Sequence, residues 1–177
     1  MGMNSILKTL HNQKQERKNM RHTKEEYHQI YHEYSIELNQ YCKDDISNRK
    51  ECDDYCDGLL HESYYTWIDI ENEKGELIGF LVLAQKPECH PDADFHVCQS
   101  FVKPEYRKQG YMTRAVHEQL KKNKGIWCLL ILKDNEYAHK FWRKTFESAG
   151  YKWTFLMPVI LQGDNGDICQ VAYAPER

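Results

Sequence analysis

The segment from Phe101 to Thr113 most constrains the fold, because it joins an apolar β-run directly to a helical pattern. Pro104 ends the β-run, since proline cannot donate a hydrogen bond to a sheet. Gly110 stands where the helical pattern begins and offers a backbone position without a Cβ atom. The chain must therefore place a strand, a turn and a helix in direct succession.

The start of that helix is a candidate anion-binding site. The first turn of a helix has four backbone N–H groups without an intrahelical partner, and the helix dipole adds partial positive charge. Arg107 and Lys108 add fixed charge, and Gly110 allows a ligand to approach the backbone closely. A pyrophosphate is the simplest ligand for such a site. An ordinary strand-to-helix turn with solvated basic residues is the alternative.

The N-terminal third of the chain predicts two helices. Thr23 and Glu26 have the spacing of a capping box, and an aromatic row follows at three- and four-residue intervals. That row either packs in the core or forms a wall of a polar substrate pocket. A second helix is predicted from about Asn48. The acidic residues of segment 44–57 are either a solvated surface or an acidic mouth for a cationic substrate.

The rest of the chain alternates between strand and helix patterns. Strands are predicted at residues 64–70, 77–84, 94–102, 126–132, 151–157 and 168–174. Gly75 marks a hairpin turn between the first two, and Asp134 or Asn135 caps a helix after the fourth. Regular alternation in 94–102 puts His96 and Val102 on one sheet face, together with Cys98 and Ser100.

Composition restricts the organisation and the partners. The 177 residues carry a net charge of -3 and fit a single domain, 1–177, with a polar linker or arm at 12–22 and helices within 23–63. This charge argues against a nucleic-acid partner. The sequence lacks a membrane-spanning apolar run and a signal-peptide pattern, so we expect a cytoplasmic protein with reduced cysteines. Cys52, Cys56 and His61 lack a second ligand pair at zinc-finger spacing, so we expect no metal site.

Two motifs together resemble the GNAT superfamily of acetyl-CoA-dependent N-acetyltransferases. Residues 102–110, which contain Arg107-x-x-Gly110, resemble its first cofactor motif, and Asn135-x-x-Ala138-x-x-Phe141-Trp142 with Gly150-Tyr151 resembles its second. The resemblance covers about residues 64–157. It implies an α+β (α/β) fold with a mixed, mostly antiparallel central sheet of six to seven strands. A splayed central strand pair and about four flanking helices complete that fold.

The same resemblance implies that acetyl-CoA binds as the acyl-donor cosubstrate. Main-chain groups near Phe101 and Val102 would contact the pantetheine, and backbone N–H groups from Gln109 to Thr113 would hold the pyrophosphate. The cofactor-binding residues expected on this basis are Phe101, Val102, Arg107, Lys108, Gln109, Gly110, Tyr111, Met112, Thr113, Asn135, Ala138, Phe141 and Trp142.

His96 is the candidate catalytic base. It lies six residues before Val102, where family members often carry a catalytic Glu or His, and imidazole with a pKa of about 6.5 suits base work near neutral pH. A half-buried strand histidine bonded to a neighbouring carbonyl is the alternative. Two residues depart from the family pattern. Trp142 stands where many relatives have a proton-donating Tyr, and Met112, where Gly or Ala is usual, either crowds the pyrophosphate or turns inward.

The expected function is transfer of an acetyl group to a primary amine of a small cationic molecule or a basic peptide. The amine would attack directly in a ternary complex. A catalytically silent module that binds CoA or another protein is the alternative, motivated by Trp142 and Met112. Exposed edge strands of such a sheet also allow a homodimer, which the sequence does not specify.

Overall fold

The computed structural model describes residues 20–85, 92–160 and 168–174. Within these ranges the chain forms four α-helices, which are α1 (Lys24–Leu38), α2 (Arg49–His61), α3 (Tyr111–Lys122) and α4 (Glu136–Ser148). The strands are β1 (Tyr65–Glu71), β2 (Leu77–Gln85), β3 (Phe95–Val102), β4 (Trp127–Leu132), β5 (Thr154–Ile160) and β6 (Ile168–Ala174). None of the described helices is both long and apolar enough to cross a membrane.

The described strands form one mixed sheet in the order β1-β2-β3-β4-β6-β5. All neighbours are antiparallel except β3 and β4, which are parallel. These two pair only through Phe95–Val97 and Trp127–Leu129, although β3 continues to Val102 and β4 to Leu132. The central pair therefore splays apart and leaves main-chain groups on the facing edges available to a ligand.

Helices cover both sheet faces with separate apolar clusters. The first cluster joins α3 and α4 to one face and includes Val116, Phe146 and Trp127. The second joins α1 and α2 to the other face and includes Ile30 and Phe80. Burial of both faces accounts for the nearly continuous apolar sequence of β2. The prediction of a mixed α+β fold with about four helices is confirmed.

Side-chain caps set the helix starts as the sequence predicted. Thr23 and Glu26 form the capping box of α1, Asn48 caps α2, and Asn135 caps α4. The arm predicted for residues 12–22 falls mostly outside the described residues. Of its last residues, Arg21 and His22 contact the Glu71 carboxylate at 3.2 and 3.0 Å.

A β-bulge in β3 corrects the predicted alternation of side chains. Val82 of β2 pairs with Gln99, but the next residue, Leu83, pairs with Val97, so Cys98 is the extra residue. Val97 and Val102 both pack in the α3 and α4 cluster, whereas Cys98 packs against the α1 and α2 cluster. The prediction that Val102 shares a face with Cys98 is wrong, because a bulge reverses the alternation that follows it.

Candidate active site

A groove of about 1540 Å³ opens where β3 and β4 diverge. Its walls come from residues 96–102 of β3, 129–132 of β4, the first turn of α3, one side of α4, and the end of α1 with the loop that follows. Both halves of the sequence therefore contribute to one site.

The N-terminus of α3 forms one end of the groove. Gly110 is the N-cap residue with a φ of 83°, and Lys108 has a φ of 60°, so the loop turns through two left-handed residues. A Cβ atom on Gly110 would lie 3.1 Å from the Arg114 guanidinium, which bonds the Gln109 carbonyl at 3.0 Å. Gly110 to Thr113 line the groove, so the unpaired N–H groups of the first helical turn lie in its wall. This end suits an anion.

The first two residues of α3 are anchored on the protein. The Tyr111 hydroxyl donates to the Glu73 carboxylate at 2.6 Å, which raises the pKa of Tyr111 and lowers that of Glu73. Met112 is only 8% exposed and belongs to the α3 and α4 cluster. Of the two alternatives for Met112, the structure shows the inward one.

Arg107 does not direct its guanidinium into the anion end. Its Nε donates to the Val102 carbonyl at 2.8 Å, and its Nη2 bonds the Glu37 carboxylate of α1. The guanidinium also lies 5.6 Å from the centre of the Phe101 ring. The side chains of Phe101 and Val102 are buried, so these residues can contact a ligand in the groove mainly through their main-chain atoms. Lys108 and Arg114, which flank the start of α3, are further cations that line the groove.

His96 lies in the paired part of β3, between Ala84 of β2 and Cys128 of β4. The side chain is half-buried and lines the groove. Its Nδ1 atom is 3.5 Å from Cys98 Sγ, which places His96 on the α1 and α2 side of the sheet. Both His96 and Val102 line the groove, although their side chains point to opposite faces of the sheet.

The α4 residues of the second motif all line the groove. The Asn135 side-chain oxygen accepts the Ala138 N–H at 3.0 Å, so this residue acts first as a helix cap. Ala138 and Phe141 are partly buried beside the α3 and α4 cluster and line the groove. Trp142 is 5% exposed and packs against Phe141 and Phe146, with ring centres 5.1 and 6.2 Å away. The indole is thus mainly a core side chain.

The end of the groove away from α3 has a tyrosine wall, formed by Tyr34, Tyr41, Tyr55, Tyr64 and Tyr65. The aromatic row of α1 serves both predicted purposes, because Tyr27 and Tyr31 are buried in the core while Tyr34 and Tyr41 line the groove. The Tyr34 hydroxyl donates to the Gln99 side chain, and burial raises the pKa of Tyr34. Sequence reasoning missed Tyr55, Tyr64 and Tyr65, which lie outside that periodic row.

The acidic segment contributes less than its composition suggests. Three of its aspartates are paired with cations, in the pairs Asp53–Arg49 at 3.0 Å, Asp54–Lys50 at 2.9 Å and Asp57–Lys24 at 2.7 Å. Within the described residues, Asp44 is the acid of this segment that lines the groove. An acidic mouth thus reduces to one carboxylate beside a tyrosine wall.

One group of possible metal ligands occurs among the described residues, and it lies outside the groove. His22, Asp69 and Glu71 have ligand atoms within 4.8 Å of one another. Asp69 already accepts the Tyr27 hydroxyl and the Trp67 indole N–H, both at 3.0 Å. His22 Nε2 lies 3.0 Å from the Glu71 carboxylate. These contacts explain the group as a network that anchors α1 on β1.

Comparison with known protein families gives a match for this chain. Residues 23–147 match the model of the acetyltransferase (GNAT) family. Among curated proteins, no sequence is significantly similar to the chain.

Solved structures share the fold at low identity. A histone acetyltransferase HPA2 and related acetyltransferase from Corynebacterium glutamicum is 9% identical with a TM-score of 0.64, covering 89% of this chain and 95% of that one. YjaB from Escherichia coli is 17% identical with a TM-score of 0.59, covering 86% and 90%. A chimera of spermidine N-acetyltransferase SpeG from Vibrio cholerae and hSSAT is 14% identical with a TM-score of 0.58, covering 87% and 92%. At these identities the likeness is one of fold.

Proposed function

This chain belongs to the GNAT family of N-acetyltransferases, and we propose that it transfers the acetyl group of acetyl-CoA to a primary amine of a small cationic molecule or a basic peptide. The observation that carries this proposal is the groove at the splayed strands, which is lined by a helix start suited to an anion, by strand edges that do not pair with each other, and by a half-buried histidine. That combination offers a place for a pyrophosphate, an extended chain and a base in one continuous cavity.

The groove residues fit acetyl-CoA as a cosubstrate. Backbone N–H groups from Gln109 to Thr113, of which those of Gly110 to Thr113 belong to residues that line the groove, would hold the pyrophosphate with Lys108 beside them. The edge of β3 near Phe101 and Val102 is not paired with β4, and its main-chain groups other than the Val102 carbonyl, which accepts from Arg107, would bond the amide groups of the pantetheine in the manner of a neighbouring strand. Asn135, Ala138, Phe141 and Trp142 would flank the thioester end.

The reaction needs a neutral amine, a donor for the thioester oxygen and release of a thiolate. The amine nitrogen attacks the carbonyl carbon, a C–N bond forms, and the C–S bond breaks. His96 would take the ammonium proton, directly or through water. A backbone N–H near Val102 would stabilise the negative charge that develops on the carbonyl oxygen. Trp142 has no titratable proton, so the thiolate leaves without a donor from that position.

The tyrosine wall and Asp44 support a cationic acceptor. Aromatic faces attract ammonium groups, and a carboxylate beside them adds charge complementarity. Several structural neighbours are spermidine N-acetyltransferases, which makes spermidine one reasonable test compound.

An acceptor screen that follows thiol release tests the proposal. The panel contains spermidine, simple monoamines and a lysine-rich peptide, each offered with acetyl-CoA to the full chain. We expect thiol release that requires an amine. His96→Ala should lower kcat by roughly 10²-fold to 10⁴-fold, the usual contribution of a general base. The same variant should keep the thermal shift that CoA causes, since binding to the folded state alone raises stability.

His61→Ala is the control for the histidine variant, because His61 is exposed at the end of α2 and does not line the groove. An equal decrease of kcat in His96→Ala and His61→Ala would contradict a catalytic role for His96. A thermal shift with CoA but no amine-dependent thiol release would favour a silent CoA-binding module. The absence of any shift at millimolar CoA would favour a protein-interaction module instead.

A further inference from the structure

Helix α1 is joined to the loop after β3 by two ion pairs of equal spacing. Glu33 and Glu37 lie one helical turn apart on α1, and their partners Lys103 and Arg107 are also four residues apart. The Glu33–Lys103 pair spans 3.5 Å. The four side chains have similar partial exposure, between 27% and 38%. Two pairs of similar exposure thus connect the same two elements.

The pair of Glu37 and Arg107 differs from the other in its further contacts. Arg107 Nε donates to the Val102 carbonyl at 2.8 Å, and the guanidinium lies 5.6 Å from the Phe101 ring centre. A single side chain therefore ties the last residues of β3 to helix α1. Arg107, Glu37 and Val102 all line the groove, whereas Glu33 and Lys103 do not.

The two elements that Arg107 connects belong to different halves of the groove. Helix α1 carries Tyr34 and leads into Tyr41, two members of the tyrosine wall. The Arg107 backbone immediately precedes Lys108, where the loop turns left-handed toward the anion end. The contact thus bridges the wall proposed for the acceptor and the strand end proposed for acetyl-CoA.

We propose that Arg107 is a positioning residue, held by Glu37, that sets the tyrosine wall against the end of β3. This inference rests on the proposed function and adds to it. Two of the three guanidinium nitrogens, Nε and Nη2, are engaged by the Val102 carbonyl and the Glu37 carboxylate, and this geometry favours a structural role over phosphate binding. Loss of the contact should let α1 shift relative to Val102, which affects acceptor placement more than cofactor affinity.

The test is a double-mutant cycle with Glu37→Gln, Arg107→Gln and the double variant, with Glu33→Gln as the matched control. For each full-length variant, calorimetric titration gives the Kd of CoA, and steady-state kinetics give kcat and the KM of the best amine. Each single variant of the cycle should raise the amine KM by roughly tenfold, which corresponds to about 1.4 kcal/mol. The Kd of CoA should not change. The double variant should resemble Arg107→Gln, because removal of the guanidinium already removes its contact with Glu37.

Three outcomes would overturn the positioning role. Weaker CoA binding in Arg107→Gln but not in Glu37→Gln would make Arg107 a phosphate ligand. An equal rise of KM in Glu33→Gln would show a general effect of α1 docking. Additive effects in the double variant would show that the two side chains act independently. A wild-type protein without amine-dependent turnover would instead contradict the proposed function, and this inference with it.

Discussion

Gly79 of β2 lies against the Phe101 carbonyl of β3 so closely that a Cβ atom at position 79 would be 2.4 Å from that oxygen. The same Cβ would lie 3.1 Å from the Val102 Cα atom. The Phe101 carbonyl oxygen and the Val102 Cα are both backbone atoms, which cannot move aside as a flexible side chain can. Gly79 therefore allows β2 to hold the end of β3 at the position where the groove opens.

Gly79→Ala should destabilise the protein, because the added methyl group forces the two strands apart. We expect a loss of about 1–3 kcal/mol in the free energy of unfolding, the usual cost of overpacking. Urea unfolding of wild type and variant measures it. Gly58→Ala is the control, since its Cβ would meet its nearest neighbour at 3.5 Å within helix α2. That change should be neutral or stabilising. Similar losses in both variants would contradict the steric argument.

Met112→Ala tests whether the Met112 side chain only packs in the core or also crowds the proposed pyrophosphate site. Because Met112 is buried in the α3 and α4 cluster, its truncation should cost about 2–5 kcal/mol of stability, as for other buried methionines. The Kd of CoA for the folded variant should stay close to the wild-type value. Unfolding curves and calorimetric titration measure the two quantities. Tighter CoA binding after truncation would show that the methionine crowds the pyrophosphate despite its burial.

Asp44 should matter for a cationic acceptor, and Asp54 should not. Asp44 lines the groove, whereas Asp54 is exposed and pairs with Lys50 along the same helix. Asp44→Asn should raise the KM of a cationic amine by several fold, since the groove loses a charge beside its tyrosine wall. Asp54→Asn removes an equal charge from the same segment and serves as the control. Equal effects would indicate long-range attraction by the whole segment rather than local recognition.

Local signals explain why much of the fold could be predicted from the sequence. The capping residues Thr23, Asn48 and Asn135 satisfy helix N–H groups through their own side chains, so their positions can be recognised without tertiary information. Gly75 and Gly110 adopt positive φ, which the hairpin turn requires at position 75 and the left-handed N-cap of α3 requires at position 110. Such features depend on a few adjacent residues.

The site was harder to predict because its decisive contacts are long-range. Nothing in the residues around Cys98 marks the bulge that reverses the side-chain alternation before Val102, since neither glycine nor proline stands there. Arg107 meets a partner 70 positions away in sequence, and Glu37 is not distinguished from other acids of α1. The sequence predicted an anion site by motif but could not show that Arg107, one of its cations, would be paired with Glu37 within the protein.

The bond between Tyr111 and Glu73 predicts a pH-dependent contribution to stability. The pKa of Glu73 lies below its ordinary value of 4.5 because its carboxylate accepts from the Tyr111 hydroxyl. A carboxyl group with a lowered folded-state pKa stabilises the fold above the unfolded-state pKa, and this contribution disappears as the pH falls through the folded-state value. Tyr111→Phe removes the donor, so wild type should exceed the variant in unfolding free energy near neutral pH. That difference should shrink in acid. Urea unfolding of both proteins between about pH 3 and about pH 7 measures the difference. Glu73→Gln removes the carboxyl group that titrates, so its unfolding free energy should also lack this pH-dependent contribution. A difference that stays constant over this range would mean that Tyr111 contributes through packing with Arg114 rather than through the carboxylate.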